Sequence, residues 1–87
     1  MLAKLKDGFE VTVKDEILDD WEFLELLNEI DEGNGSKIVN VARAMLGEEE
    51  VGKLKEHFKE KTGKVTVNEM VEAITELLES IGEAKNS

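Results

Sequence analysis

The sequence contains no cysteine. That absence removes disulfides, thiolate nucleophiles and zinc–thiolate sites together, and it suits a reducing compartment without requiring one. His57 is the single histidine, so a transition-metal site would have to be all carboxylate or shared between chains. Uninterrupted apolar runs are at most three residues long, far short of the ~20 that a membrane-spanning helix needs. The stretch Met1-Leu2-Ala3-Lys4-Leu5-Lys6-Asp7 meets a turn signal before an apolar export core can form, so nothing there reads as a signal peptide. Positive charge is also scarce: 11 Lys and Arg against 21 Asp and Glu leave a net charge of −10. The cations are scattered among acids, and without a cationic stripe neither nucleic acid nor an anionic membrane is an expected partner. Serines are few, and no Gly-x-Ser-x-Gly elbow or phosphate-cradling glycine loop is present, which leaves acyl and phosphoryl transfer without a foothold.

What remains is an ordinary globular balance, 40% hydrophobic against 37% charged, over 87 residues. A chain of this length makes one domain and buries roughly 60–65% of its unfolded surface, with no spare volume for a deep substrate cleft. The expected class is α+β and mostly α: an N-terminal β-hairpin over about 1–13, then four helices over about 19–31, 37–46, 48–62 and 67–81. Residues 1–82 read as a single domain, and 83–87, which lack periodicity, as a flexible tail.

The hairpin register follows from its turn. A two-residue Asp7-Gly8 loop would mix charged and apolar residues on each face. A three-residue loop, Lys6-Asp7-Gly8, instead pairs Leu5 with Phe9, Ala3 with Val11 and Met1 with Val13 on one face, and Lys4 with Glu10 on the other. It asks Gly8 to act as a left-handed bulge residue, a conformation glycine adopts at little cost. A lone hairpin is marginal in water, so its apolar face should pack on helices, and its open edge is available to another chain.

The first helix should start near Asp19 or Asp20, with Asp19 and Glu22 spaced as a capping pair, and end near Asp31 before Gly33-Asn34-Gly35. Phe23, Leu24, Leu26, Leu27 and Ile30 share one arc, while Trp21 stands outside it. Two readings of Trp21 are open: packing under the hairpin with Ile17 and Leu18, or an anchor for a partner, a role in which tryptophan is enriched. The second helix, with Ser36 as its expected N-cap and Gly47 as its stop, is apolar around more than half its circumference. Ile38, Val39, Val41, Ala42, Ala44, Met45 and Leu46 place it at the domain centre or in an oligomer contact, leaving Asn40 and Arg43 outside. The third opens on Glu48-Glu49-Glu50, closes on Gly63 and has a thin stripe of Val51, Leu54 and Phe58. Thr66-Val67-Asn68-Glu69 is a capping box for the fourth, whose stripe contains Val67, Met70, Val71, Ile74, Leu77, Leu78 and Ile81.

Chemistry-bearing motifs are few. Gly63, Val65 and Glu69 match positions 6, 8 and 12 of an EF-hand loop, but positions 1, 3 and 5 then fall on Phe58, Glu60 and Thr62, so the leading carboxylate is missing. His57 reads as a partly exposed residue on the shoulder of the third helix. Carboxylates at Asp15, Glu16, Asp19, Asp20, Glu48, Glu49, Glu50, Glu76 and Glu79 fit solvated faces and helix starts; general acid–base work needs a carboxyl with a shifted pKa in a cleft. No catalytic residue, metal ligand or cofactor is therefore expected, and the chain is not read as an enzyme.

Several segments taken in order carry a family resemblance: Leu5-Lys6-Asp7-Gly8-Phe9-Glu10-Val11, Leu18-Asp19-Asp20-Trp21-Glu22-Phe23-Leu24-Glu25, Met45-Leu46-Gly47-Glu48-Glu49, the Gly63-Lys64-Val65 turn and the ending Lys85-Asn86-Ser87. Over nearly the whole chain this series resembles the small tail assembly chaperones of long-tailed phages and prophages of Gram-positive bacteria. The resemblance implies a cytoplasmic, non-virion helper that keeps the hydrophobic tape measure protein in solution and recruits tail tube protein, with oligomer formation possible. Such families often add a longer product by ribosomal frameshifting, and Ala84, Lys85 and Asn86 permit the slippery codons this requires. The candidate partner or oligomer surface is Trp21, Phe23, Leu26, Val39, Ala44 and Leu46. Two other classes stay open: an acidic DNA mimic acting on a nucleic-acid-binding protein, and a minimal enzyme or calcium sensor.

Overall fold

The computed structural model describes the backbone of residues 1–33 and 35–86, with side chains for all of these except 31 and 83–86. Among the described residues there are two strands, β1 (Leu2–Lys4) and β2 (Glu10–Thr12), and four helices, α1 (Trp21–Asp31), α2 (Ile38–Leu46), α3 (Glu48–Thr62) and α4 (Val67–Asn86). Short 3-10 turns, Ile17–Asp19 and Gly35–Lys37, lead into α1 and α2. The α+β, mostly helical class read from the sequence is the observed one.

The strands pair antiparallel with Ala3 opposite Val11 and Lys4 opposite Glu10, the register of the three-residue turn. Gly8 N–H donates to the Leu5 carbonyl at 3.0 Å and Leu5 N–H to the Phe9 carbonyl at 2.9 Å, with Gly8 at φ 96°. A side chain there would be strained, so the glycine sets the turn and the turn sets which face is apolar. Ala3, Leu5, Val11 and Val13 are buried beneath the hairpin, while Leu2, Lys4, Glu10 and Thr12 stay exposed.

The polypeptide leaves β2 through a bond from Lys14 N–H to the Met45 carbonyl, 2.9 Å, at the end of α2. The cap of α1 is Asp20, not Asp19. The Asp20 carboxylate accepts from Glu22 N–H at 2.9 Å and Phe23 N–H at 3.3 Å, satisfying two donors that the first helical turn leaves open. Ser36 likewise does not cap α2: it lies inside the Gly35–Lys37 turn, which runs into the helix with no side-chain cap. Gly47, at φ 85°, separates α2 from α3 as expected. At the start of α4 the capping box forms in both directions. Thr66 Oγ1 accepts from Glu69 N–H at 3.1 Å, and Glu69 Oε1 accepts from Thr66 N–H at 3.0 Å. The α4 backbone is helical to Asn86, beyond the expected end near Ile81.

α4 packs beside β1, α3 beside β2, and α2 between α1 and α3. The shared core takes Phe23 from α1, Val41 and Met45 from α2, Leu54 from α3 and Ile74, Leu77 and Ile81 from α4, all at 2% exposure or less. The expected α4 stripe needs one correction. Its buried arc is rotated toward Ala73, which is 2% exposed, and Val67 and Val71 are left at 71% and 39%. None of the helices among the described residues is long and apolar enough to cross a membrane.

Candidate interaction surface

The hairpin edge, which the sequence offered to another chain, is covered in part by side chains of the same chain, at Thr12 and at Lys6. Thr12 N–H donates to Glu50 Oε1 at 2.7 Å and Lys6 N–H to Glu76 Oε1 at 2.8 Å. Glu50 also meets Lys53 Nζ at 2.9 Å, and that ammonium, followed by Thr12 N–H, holds its carboxyl below the usual value. Side chains of α3 and α4 thus cover backbone donors that would otherwise invite strand addition.

His57 is more engaged than its place on the shoulder of α3 suggested. Its ring stacks on Phe9 at 4.0 Å between centroids, with an 11° interplanar angle, and its Nε2 lies 2.8 Å from Asp7 Oδ2. Lys61 Nζ reaches the same oxygen at 2.6 Å, and Phe9 N–H donates to Asp7 Oδ1 at 2.9 Å. The Lys61 ammonium first, then the Phe9 N–H and His57, hold the Asp7 carboxyl well below the ordinary carboxylate range. The cluster latches the hairpin turn onto α3.

Glu69, the carboxylate at position 12 of the apparent EF-hand, is committed to the capping box. Among the described residues, no group of three or more His, Asp or Glu side chains is placed to hold a metal ion.

The apolar surfaces remain. Of the six candidate residues, Phe23 and Leu46 lie in the core at 1% and 5% exposure and leave the list of outward contacts. Leu26 and Ala44 are half-buried against that core. Trp21 and Val39 are exposed, at 73% and 51%. Packing of Trp21 under the hairpin is thereby overturned: Ile17 is buried and Leu18 half-buried there, while the indole faces outward. Trp21 shares the outer surface of α1 with Leu24, Glu25, Asn28, Glu29 and Glu32, which frame a shallow depression. Val39 sits elsewhere, in a groove of about 290 Å³ between α2, α3 and the start of α4. Val51, Val65, Val67 and Met70 line it together with the exposed Arg43 and Lys55.

Comparison with protein-family models, curated proteins and solved structures gives no match. The surface therefore has to be argued from its own residues.

Sequence reasoning did not select Leu24, Val67, Arg43 or Lys55. Leu24 sits at the margin of its apolar arc and Val67 at the first residue of α4, and the arc alone does not say which of its positions the neighbouring helix covers. Arg43 was seen to lie outside the apolar face of α2, but only the α3 and α4 backbones place it beside Lys55 in a common groove. The side chains of Ala84, Lys85 and Asn86 and all of Ser87 fall outside the described residues; their suggested role concerns codons.

Proposed function

We propose that this chain is a non-catalytic protein-binding domain acting as a phage tail assembly chaperone, with the tape measure and tail tube proteins as clients. The observation that carries the reading is the pair of exposed apolar faces, around Trp21 and around Val39 and Val67, on a domain whose other surface is dominated by acids. Trp21 is the candidate anchor, since a large exposed indole gains most by entering a partner's pocket. The net charge of −10 keeps the domain dispersed while such faces stay uncovered. Its place of action is the host cytoplasm, where tails are assembled, outside the finished virion.

The acidic DNA mimic draws less support. Asp7, Asp20, Glu50, Glu69 and Glu76 are turned to donors of the fold itself, which takes five of the 21 acids out of any phosphate-like row.

Co-purification of the folded chain with tape measure and tail tube proteins of the same genome tests the proposal. Association should weaken at least ~30-fold for Trp21→Ala, the scale of an interface hot spot. Absence of binding to either protein would sink it. A slippery heptamer at the codons for Ala84 to Asn86, followed by an overlapping frame, would support it independently.

A further inference from the structure

The two edges of the hairpin are closed to different extents. Met1 exchanges bonds with Val13 and Leu5 N–H donates to Phe9, so with Ala3 opposite Val11 the bonded pairs fall on the odd residues. The alternate residues of an antiparallel ladder turn their N–H and C=O groups outward. On the β2 side these are Glu10, Thr12 and Lys14; Glu50 takes the Thr12 N–H, and the Met45 carbonyl takes that of Lys14. On β1 they are Leu2 and Lys4. Neither N–H has a partner among the described residues, and both residues are exposed. Glu76 closes this edge only beyond them, at Lys6.

β1 also differs in charge from the rest of the chain. Residues 1–6 contain two lysines and no acid, where acids outnumber cations 21 to 11 overall. Lys4 and Lys6 form no ion pair among the described residues, although Glu10 lies opposite Lys4 across the hairpin. Lys53 and Lys61, by contrast, each meet a carboxylate.

We propose that the β1 edge at Leu2 and Lys4 receives an extended segment of another protein, in which acidic and apolar residues alternate. Laid antiparallel, the more stable arrangement, its acidic residues exchange backbone bonds with Leu2 and Lys4 and set their carboxylates beside Lys4 and Lys6 on the outer face. Its apolar residues turn to the inner face, continuing that of the buried Ala3 and Leu5. A second copy of this chain does not suit the edge. Its β1 would set lysine beside lysine, directly or diagonally, and its β2, which carries the acid Glu10, is itself closed at Thr12 and Lys14. Edge lysines that oppose pairing between copies select an acidic strand instead. The inference stands apart from the client reading, since it uses neither the Trp21 face nor the groove beside Val39.

Titration of the isotope-labelled whole chain with a blocked peptide of alternating valine and glutamate, followed by amide NMR, tests it. The Leu2 and Lys4 amides should shift and, at saturation, exchange with solvent at least ~10-fold more slowly, while those of Trp21 and Val39 stay unchanged. A valine–lysine peptide should bind at least ~10-fold more weakly. N-methylation of the peptide's glutamates should abolish binding, and N-methylation of its valines, whose N–H groups point away from β1, should preserve it. Lys4→Glu with Lys6→Glu, at exposed positions, should exchange the preference between the two peptides. Leu2 and Lys4 amides that do not respond to millimolar peptide overturn the inference. So does an equal loss on methylating either set of residues, or protection that grows with protein concentration when no peptide is present.

Discussion

The hairpin, where it meets α3 and α4, and the two separate faces bearing Trp21 and Val39 treat their loose ends differently, although Leu2 of β1 also stays exposed. Where β1 and β2 meet α3 and α4, spare groups find partners: Glu50 and Glu76 take backbone donors of the hairpin, Asp7 binds Lys61 and His57, and His57 lies flat on Phe9. On the outer face of α1 and in the groove beside α2, Trp21, Leu24, Val39 and Val67 are left to water, with Arg43 and Lys55 beside the groove. A protein that sealed every surface alike would not leave its one tryptophan at 73% exposure. The difference shows that the unfinished faces reflect where the helices stop covering one another, not a general shortage of partners.

The sharpest way to break that comparison is to remove an apolar side chain from each side. Leu54, at 0% exposure, belongs to the sealed core, and Leu54→Ala should lower the unfolding free energy in urea by about 2–5 kcal/mol, a large share of what a small domain has. Trp21→Ala should stay within roughly 0.5 kcal/mol of wild type in the same titration, as for other exposed positions, while losing binding. Equal losses at the two sites would mean that Trp21 is core after all.

The polar seal is tested by pH. Because the Asp7 carboxyl titrates lower when folded than when unfolded, its contribution is fully present above the unfolded value of about 3.9 and is lost as pH falls through the folded one. Asp7→Asn should therefore reduce the melting temperature at neutral pH, and the gap to wild type should narrow as the pH drops below about 4. A gap independent of pH would remove the carboxylate from the latch.

The smallest effect concerns Glu16, which lies in left-handed backbone at φ 59° and ψ 23° at the approach to α1, with no side-chain cap bond. Glu16→Gly relieves strain of roughly 1–2 kcal/mol and adds unfolded-state freedom of about 0.4–1 kcal/mol, so a net gain between about 0 and 1.6 kcal/mol is expected by thermal denaturation. A clear loss of stability would show that the glutamate side chain holds the turn.

Much of the fold was legible because its signals are local. Gly8 and the alternating residues of the hairpin specify a register, Gly47 and Gly63 punctuate helices, and Thr66 with Glu69 announces a helix start within four residues. The misplaced signals were also local ones. Asp19 and Ser36 are chemically fit to cap, but the 3-10 turns in which they lie move the helix starts beyond them. The candidate surface was half legible: Trp21 stood outside its arc, and Val39 belonged to a helix apolar on too many sides. Phe23 and Leu46 could not be separated from them by type, since each is as apolar as a contact residue.

Composition, periodicity and turn chemistry by themselves determined an acidic α+β domain with a hairpin, four helices and more apolar surface on α1 and α2 than one core requires. Tertiary structure alone decided which part of that surface stays open. An apolar arc records how much of a helix avoids water, whereas burial depends on where the neighbouring helices lie, and those positions set Phe23 and Leu46 inside and leave Trp21, Val39 and Val67 outside.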